Sequence, residues 1–364
     1  MHVGWLELRD FRAYPELRFE PEPGINVLVG ANGAGKTTVL EAVAYLSGLR
    51  SFRRTPDAAL IRLGAEGAVV RGGFAKEAGE TRVEVELPAQ GRRRVLLNGK
   101  RPPRLAAVAH EVPVVAFLPD DLDLVKDSSG IRRRYLDDLG AHLAPGYGAA
   151  VGDYEQALKQ RNALLRARGP MTDEVTLEVW DYRLSTAAAA LWRERLLLVE
   201  RLSPRLDEAH ATVAGGAARL TATLLPSWGN VEPDLASEDM AAQLRRTLLE
   251  RRRRELEQRT TTAGPHRDEI HVQLGARDTR AQASQGEQRS VAVSLRVAAY
   301  QLLEERHGHP PVLLLDDVFS ELDLARTSAV VDMLPRGQVL VTTTREDEVP
   351  VSGRRWDVNG GEVR

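Results

Sequence analysis

One glycine-rich segment has the residue types and spacing of a phosphate-binding loop. Residues 30–37 read Gly-Ala-Asn-Gly-Ala-Gly-Lys-Thr and match G-x-x-x-x-G-K-[S/T], directly after an apolar stretch and directly before a helical pattern. Glycines let several backbone N–H groups face one anion, and the helix N-terminus adds partial positive charge. Lys36 is expected to reach the outer phosphates of ATP, and Thr37 to bind Mg²⁺ through its hydroxyl. The residues expected to contact the nucleotide are Gly30, Ala31, Asn32, Gly33, Ala34, Gly35, Lys36, Thr37 and Thr38.

Two adjacent carboxylates end an apolar strand pattern far along the chain. Asp316 and Asp317 follow Pro-Val-Leu-Leu-Leu at 311–315. Carboxylates beside a buried strand are unfavourable unless they serve a purpose at its tip. A Walker B element accounts for both, with Asp316 as a Mg²⁺ ligand and Asp317 as the catalytic group that orients and deprotonates the attacking water. The alternative is that the two acids only cap the turn that follows.

A third segment lies between these two in the order expected of an ABC signature motif. Ser284, Gln285 and Gly286 precede a helical pattern at 290–305, which leads into the Walker B strand. Taken alone, the segment is more typical of a helix N-cap than of a ligand site. In this order it indicates a second phosphate site. Such a site lies far from its own Walker A loop in this architecture, so it must serve the nucleotide of another subunit, which predicts an ATP-dependent homodimer.

Three further segments carry polar residues that could contact a phosphate, a water or the fold itself. Residues 320–323, Ser-Glu-Leu-Asp, stand at the place of a D-loop, and Thr342, Thr343 and Thr344 end the next strand, where ABC enzymes usually have a histidine. A threonine hydroxyl can contact a phosphate or water but does not titrate near neutrality. His266 and Arg267 form a polar cluster after a Gly-Pro turn, and a functional role and a structural turn are equally good interpretations.

The elements that must position these residues fall into three segments. Residues up to about 120 alternate turn signals with short apolar runs at 24–29, 68–70, 82–87 and 94–98, which is typical of strands. The middle segment shows leucines at heptad spacing (184, 191 and 198) and is expected to be helical. Strand-like runs return at 269–274, 311–315 and 338–344. The sequence therefore predicts an α/β P-loop ATPase head whose halves, 1–128 and 259–364, are interrupted by a helical insertion subdomain at 129–258.

Composition limits the classes of partner and location. The 364 residues carry a formal net charge of -2, so any contact with nucleic acid must come from local basic patches. The absence of cysteine rules out disulfides, thiolate zinc sites and cysteine nucleophiles. No apolar run is long enough to span a membrane, and the first residues carry charges where a signal peptide needs an apolar stretch. A cytoplasmic location is expected.

These motifs together resemble the RecF family of recombinational repair proteins. The resemblance runs through nearly the whole chain and is strongest at Walker B, because a second Asp in place of the usual Glu is similar to the family's choice. The matching segments are Asp10–Arg12, 30–37 with Leu40–Ala42, Ser51–Arg53, Phe117–Leu122, Arg132–Asp137, Gln160–Asn162, Gly264–Asp268, Ser284–Arg289 and Leu315–Asp323. The segment Asp10–Arg12 lacks the asparagine that is usual in the family.

The resemblance implies more than the spacing of the motifs can show. It implies an SMC-like ABC head that dimerises on ATP, binds single- and double-stranded DNA near gaps and junctions, and works with RecO and RecR in loading recombinase. Slow ATP hydrolysis would reset the dimer. The insertion, at roughly 130 residues, is far too short for the long coiled-coil arms of SMC proteins.

Runs of arginine are the candidate DNA contacts, since the guanidinium fork suits phosphate. The residues singled out are Arg92, Arg93, Arg94, Arg132, Arg133 and Arg134. A further run at 251–254 stands among glutamates, which favours a solvated helix with internal ion pairs.

Two other classes share part of this pattern. A transporter ATPase subunit also carries Walker A, signature and Walker B motifs, but the long interval from Lys36 to Asp316 and the missing histidine argue against it. A structural chromosome protein of the SMC type is the other alternative, to be separated by arm length and by whether dimers form without partners.

Overall fold

The computed structural model describes residues 1–77, 79–216, 218–232, 234–320, 324–332, 337–345, 347 and 349–364. The chain forms two compact units. Unit 1 comprises Met1–Leu122, Glu208–Ala217 and Gln285–Arg364, and unit 2 comprises Asp123–Asp207 and Ala218–Ser284.

Unit 1 contains a five-stranded antiparallel sheet in the order β2-β1-β4-β5-β6. Its inward side chains alternate with charged outward ones, as expected where one face packs on a core. The strands are β1 His2–Phe11, β2 Tyr14–Phe19, β4 Gly67–Lys76, β5 Gly79–Pro88 and β6 Arg94–Leu97.

A six-stranded, mainly parallel sheet forms the second layer of unit 1, in the order β14-β13-β3-β12-β11-β7. Only the β13–β14 pair is antiparallel. Its central strands are apolar throughout, as is usual for parallel strands covered on both faces. The strands are β3 Ile25–Val29, β7 Val114–Phe117, β11 Val312–Asp316, β12 Val339–Thr343, β13 Arg354–Asn359 and β14 Glu362–Val363.

Helix α1, Lys36–Gly48, lies between the two sheets and is buried around most of its circumference. Its apolar residues share one core cluster with both sheets, including Leu40 against the strands that carry Leu314 and Leu340. A Cβ on Gly72 of β4 would stand 2.7 Å from the Leu46 side chain, so this glycine permits the close approach of helix and sheet. The helix that begins at the glycine-rich loop is therefore fixed in the centre of the unit.

Further helices lie wholly within unit 1. They are α2 Ala106–Glu111, α9 Gln285–His307 and α10 Leu324–Val331, with short 3-10 turns at Asp57–Leu60, Pro119–Leu122 and Val318–Ser320. The expected strands at 24–29, 68–70, 82–87, 94–98, 311–315 and 338–344 and the expected helix at 290–305 are confirmed to within a few residues.

Unit 2 is built mainly from helices and holds one small antiparallel sheet in the order β10-β9-β8. Trp192 and Trp228 pack edge to face in its core, with ring centroids 6.2 Å apart. Its elements are α3 Asp123–Lys126, α4 Ser129–Leu143, α5 Pro145–Arg168, α6 Glu174–Ala214, β8 Leu220–Leu225, α7 Ser237–Gln258, β9 Glu269–Leu274, β10 Arg277–Asp278 and α8 Thr279–Gln282, with 3-10 turns at Gly169–Met171 and Pro265–Arg267. The last residues of α6, from Glu208, belong to unit 1.

The expectation of a wholly helical middle segment is wrong at Leu220–Leu225. These residues form β8, whose side chains alternate between buried and accessible positions, and β8 pairs with β9. The expected strand at 269–274 does form, but within unit 2. Residues 259–284 thus fold with the segment before them, while the boundary drawn from the sequence stood at 259. The three-part division of the chain stays a prediction.

None of the helices in the described part of the chain is long and apolar enough to cross a membrane.

Candidate nucleotide-binding site

The parallel sheet brings the two Walker segments to the same edge. Strand β12 lies between β3 and β11, with Thr343 opposite Val29 and Thr342 opposite Asp316. The carboxyl ends of these three strands therefore meet, although the segments they carry are almost 280 residues apart. Ligands bind at this edge in open α/β sheets.

The glycines of residues 30–37 allow close packing that side chains would prevent. A Cβ on Gly30 would stand 2.3 Å from the carbonyl oxygen of Val358 on β13. Gly35, the N-cap of α1, has φ 110° and lies against the ring of Tyr14. Among the described residues no side chain caps this end of α1. The first N–H groups of α1 are therefore available to an anion bound by the loop.

Lys36 is folded back over the loop. It is only 7% exposed, and its ammonium group donates to the carbonyl oxygens of Gly30 (2.7 Å) and Ala31 (3.0 Å). Burial lowers the pKa of Lys36, while Asp317 and Asp316 act in the opposite direction. The one lysine of the loop is thus held among carbonyls and carboxylates, where a phosphate anion would be a stronger partner.

Asp316 joins the two Walker segments directly. Its Oδ1 accepts a hydrogen bond from the Thr37 hydroxyl at 2.8 Å and another from the Thr342 hydroxyl at 2.7 Å. Asp316 is 7% exposed and Thr342 is 1% exposed. The sequence indicated only that Thr342 lies near the position where ABC enzymes usually have a histidine. Its bond to Asp316 depends on strand register, which the sequence alone does not give.

Asp317 has an unusual backbone conformation. Its φ is 52°, in the left-handed region that non-glycine residues adopt uncommonly. The Asp317 amide donates to the carbonyl oxygen (3.2 Å) and the hydroxyl (3.0 Å) of Thr342. Strain of this kind is found where the surrounding structure holds a functional residue in place. Thr342 therefore orients both aspartates.

The donor set fits a nucleotide with Mg²⁺. A hydroxyl and a carboxylate, from Thr37 and Asp316, already lie within hydrogen-bond distance, and oxygen ligands of this kind suit Mg²⁺. Mg²⁺ usually keeps several waters and takes only one or two protein ligands beside substrate phosphates. Within the described ranges, no group of three or more His, Asp or Glu is placed to hold a metal ion.

Three segments that carry the family resemblance, Asp10–Arg12, Leu40–Ala42 and Ser51–Arg53, are joined by hydrogen bonds at α1. Arg12 binds the buried carboxylate of Glu41 on α1 through Nε (3.0 Å) and Nη2 (2.8 Å), and it also donates to Thr55. Ser51 donates to the same carboxylate. These segments, separated in sequence, form one hydrogen-bonded group that fixes α1 relative to β1.

The signature segment lies at the start of α9. Ser284, Gln285 and Gly286 are exposed. The carbonyl oxygen of Gly286 accepts a hydrogen bond from Arg326 of α10 at 2.6 Å. A Cβ on Gly286 would meet only the Arg326 guanidinium, at an ordinary 3.6 Å, so contacts with described residues do not require glycine here. The predicted D-loop residues 321–323 lie outside the described part of the chain.

The arginines predicted to contact DNA differ in accessibility. Arg132 is 6% exposed and pairs with Glu269 at 2.9 Å while donating to backbone carbonyls. Arg133 donates to the Asp268 carbonyl, and Arg93 donates to Leu49 and Asp57. These three guanidinium groups stabilise the fold. Arg92, Arg94 and Arg134 are exposed, so the predicted DNA contacts rest on them.

The arginines at 251–254 also form internal contacts. Arg252 pairs with Asp181 of α6 at 3.0 Å, and Arg253 pairs with Glu257 one turn along α7 at 3.1 Å. The interpretation of this run as a solvated helix with internal ion pairs is confirmed for Arg253, whereas Arg252 is largely buried and pairs with another helix.

Comparison with known proteins agrees with this geometry. The fold and the site define a P-loop ATPase head of the SMC type, and the family model "RecF/RecN/SMC N terminal domain" matches residues 2–358. Relatives called DNA replication and repair protein RecF are 40% identical in Renibacterium salmoninarum, covering 99% of this chain and 98% of the relative, and 39% identical in Streptomyces avermitilis, covering 100% and 99%. The chain belongs to the RecF family.

Solved structures give the same assignment. The chain is similar to the recombination mediator protein RecF with ATP, of the RecFOR pathway, with a TM-score of 0.91, 27% identity and coverage of 100% of this chain and 97% of that one. It also shares the fold of the Smc head domain of Pyrococcus furiosus, with a TM-score of 0.54 and 19% identity. Membership of the RecF family argues against the transporter alternative.

Proposed function

We propose that this protein is an ATP-driven DNA clamp of recombinational repair, which closes as a homodimer on ATP and opens after slow hydrolysis. The observation that carries the proposal is the direct bond from Thr37 to Asp316, which unites Walker A and Walker B in one oxygen-ligand pair beside Lys36. The relatives named DNA replication and repair protein RecF support the process. The neighbour described as part of the RecFOR pathway supports RecO and RecR as partners.

The chemistry follows from the residues at the strand ends. Lys36 exchanges its loop carbonyls for the outer phosphates of ATP, because an ammonium group binds an anion more strongly than a neutral oxygen. Thr37 and Asp316 would hold Mg²⁺, and a bound Mg²⁺ would offset the negative charge of the phosphates. Asp317 orients the attacking water and takes its proton. The hydrogen bonds to Thr342 hold Asp317 in its strained conformation for this task.

The exposed signature segment supports dimerisation. Gly286 is exposed, and its Cβ position is not blocked by described residues, so a glycine there is explained by the approach of another molecule. The start of the 23-residue helix α9 favours an anion. Ser284, Gln285 and Gly286 therefore complete the ATP site of a second subunit.

DNA binding is assigned to exposed arginines. Arg92, Arg94 and Arg134 offer guanidinium groups to solvent, whereas Arg132 does not. Phosphate contacts of this kind are independent of base sequence and weaken as salt rises. Clamping near gaps and single/double-strand junctions rests on the family resemblance.

Light scattering with and without ATP and Mg²⁺ tests the nucleotide switch. Lys36→Met removes the ammonium group but leaves the loop amides, so ATP affinity should drop and ATP-dependent dimers should vanish. Lys159→Met is the matched control, since Lys159 is exposed on α5 in unit 2. Dimerisation of Lys36→Met at the parent's ATP concentration would overturn the Walker A assignment.

A second variant separates ATP binding from hydrolysis. Asp317→Asn keeps the size of the side chain and removes its basicity, so phosphate release should fall by about two orders of magnitude or more. The ATP-bound dimer and its DNA complex should persist. Phosphate release at the parent's rate would show that another group activates the water.

A further inference from the structure

The Gly-Pro-His-Arg-Asp turn of unit 2, residues 264–268, is fixed to an unusual degree. Gly264 has φ 124°, and a Cβ there would stand 2.7 Å from the Tyr154 hydroxyl. Only glycine meets both conditions without strain. The next three residues form a 3-10 turn between α7 and β9. The sequence left this turn without a role, and the proposed ATP chemistry does not use it.

The backbone of the turn is held by one loop and two helices of the unit. Gly264 donates to the Ser227 hydroxyl at 3.0 Å and accepts from it at 2.9 Å. The Pro265 carbonyl accepts a hydrogen bond from Arg195 of α6 at 2.7 Å, and the Asp268 carbonyl accepts one from Arg133 of α4. The turn therefore has little freedom left to lose on binding a ligand.

The side chains on either side of Arg267 point into the unit. His266 Nδ1 lies 2.6 Å from the Tyr154 hydroxyl, and its Nε2 lies 3.1 Å from the Thr261 carbonyl oxygen, so Nε2 carries the proton and Nδ1 accepts from Tyr154. Asp268 is fully buried and accepts a hydrogen bond from the Ser227 amide at 2.9 Å. His266 and Asp268 therefore anchor the turn to the interior of unit 2.

Arg267 is the exception in this turn. It is exposed, and in the described part of the chain its guanidinium forms no hydrogen bond or ion pair. Its backbone, in contrast, is fixed by the bond from its amide to the Gly264 carbonyl at 2.8 Å. A guanidinium on a rigid support loses less entropy on binding, and its fork fits phosphate oxygens.

We infer that Arg267 is a DNA phosphate contact, presented to the backbone by the fixed turn of residues 264–268. The inference rests on the proposed DNA binding and adds a contact that lies outside the arginine runs. Arg134 is a further exposed arginine of the same unit, on α4. The chemistry recognised is the phosphodiester, so the contact does not depend on base sequence.

DNA affinity measured over a salt series tests the assignment, with ATP, Mg²⁺ and a duplex that carries a single-stranded tail. Arg267→Ala should weaken binding several-fold at low salt and reduce the slope of log K against log salt by about 0.9 for each phosphate that the arginine neutralises. Arg267→Lys should retain the slope. Arg253→Ala is the matched control, because it removes an equal charge from an exposed site already paired with Glu257.

A second variant tests the support without changing charge. Tyr154→Phe removes the hydroxyl that fixes His266, so affinity should fall while the salt slope stays that of the parent. Should this variant fail to fold, Arg267→Ala decides alone. Unchanged affinity or an unchanged slope in Arg267→Ala overturns the assignment and leaves the arginine to a protein partner or to solvent. Failure of the parent to bind DNA at all would instead contradict the proposed function.

Discussion

At the residue scale, the site depends on hydroxyl groups as much as on the charged residues. Thr37 and Thr342 both donate to Asp316 Oδ1, and Thr342 also accepts from the Asp317 amide. A carboxylate that receives two hydroxyl donors is fixed in direction before any metal binds. The geometry of both aspartates thus depends on a residue of the strand between them.

One prediction at this scale concerns Thr342. Thr342→Val preserves shape but removes the hydroxyl, so Asp316 loses a donor and the Asp317 amide loses an acceptor. ATP hydrolysis should fall by about tenfold or more, with a smaller loss of ATP affinity. Thr342→Ser keeps the hydroxyl and should retain most activity. Phosphate-release rates and nucleotide titrations give both quantities, and equal activity of the Val and Ser variants would refute the role given to the hydroxyl.

Removing the hydroxyl of Tyr14 is expected to stabilise the protein. Its side chain is fully buried beside Gly35, and among the described residues its hydroxyl has no hydrogen-bond partner. Burial also raises its pKa to about 12. A buried hydroxyl without a partner costs about 1–3 kcal/mol, so Tyr14→Phe should raise the free energy of unfolding by about 1 kcal/mol. Chemical denaturation without nucleotide is the measurement, and a destabilised Phe variant would mean that the hydroxyl has a partner in solution.

At the element scale, local motifs were predictable from the sequence and long-range contacts were not. The 30–37 loop, the Asp316–Asp317 pair and most strands carry their signal within a few residues. The bond from Thr342 to Asp316 needs the register of two parallel strands. Arg132 and Arg134 look alike in sequence, yet one is buried against Glu269 and the other is exposed. Strand β8 was missed because it lies in a helical region and is paired with β9, about 45 residues further along the chain.

The anchored turn of residues 264–268 predicts a specific pH dependence. Burial lowers the pKa of His266 to about 4 from its ordinary 6.5. Between pH 4 and pH 6.5 His266 is therefore protonated in the unfolded chain but neutral in the folded chain. The histidine thus contributes stability above about pH 6.5, and this contribution is lost as the pH falls toward 4. Burial raises the pKa of Asp268 to about 6, which acts in the opposite direction in the same window.

A comparison with His266→Gln isolates the histidine contribution, since Asp268 is present in both proteins. The parent should lose stability relative to the variant as pH falls from 6.5 to 4, so the two melting temperatures should approach each other. Thermal melts at intervals across this range measure the difference. A constant gap would show that His266 titrates equally in the folded and unfolded chains.

At the scale of the whole molecule, the central claim is that each ATP site needs two subunits. In the proposed dimer, one half of the site is formed by the Walker residues at the edge of the parallel sheet, and the other half by Ser284, Gln285 and Gly286 of the second subunit, at the start of α9. A substitution can disable either half of the site and leave the other half intact. Lys36→Met disables the Walker loop, and Ser284→Arg places a bulky cation where the phosphate of the partner must approach.

Mixing these two variants is the most direct test. Neither should dimerise alone with ATP, although Ser284→Arg should still bind nucleotide as a monomer. Together they can form one intact composite site, from the Walker loop of Ser284→Arg and the serine of Lys36→Met. Light scattering of the mixture with ATP and Mg²⁺ should therefore show partial recovery of the dimer. Normal dimerisation of Ser284→Arg alone would contradict the account, because residues 284–286 would then do no more than begin a helix.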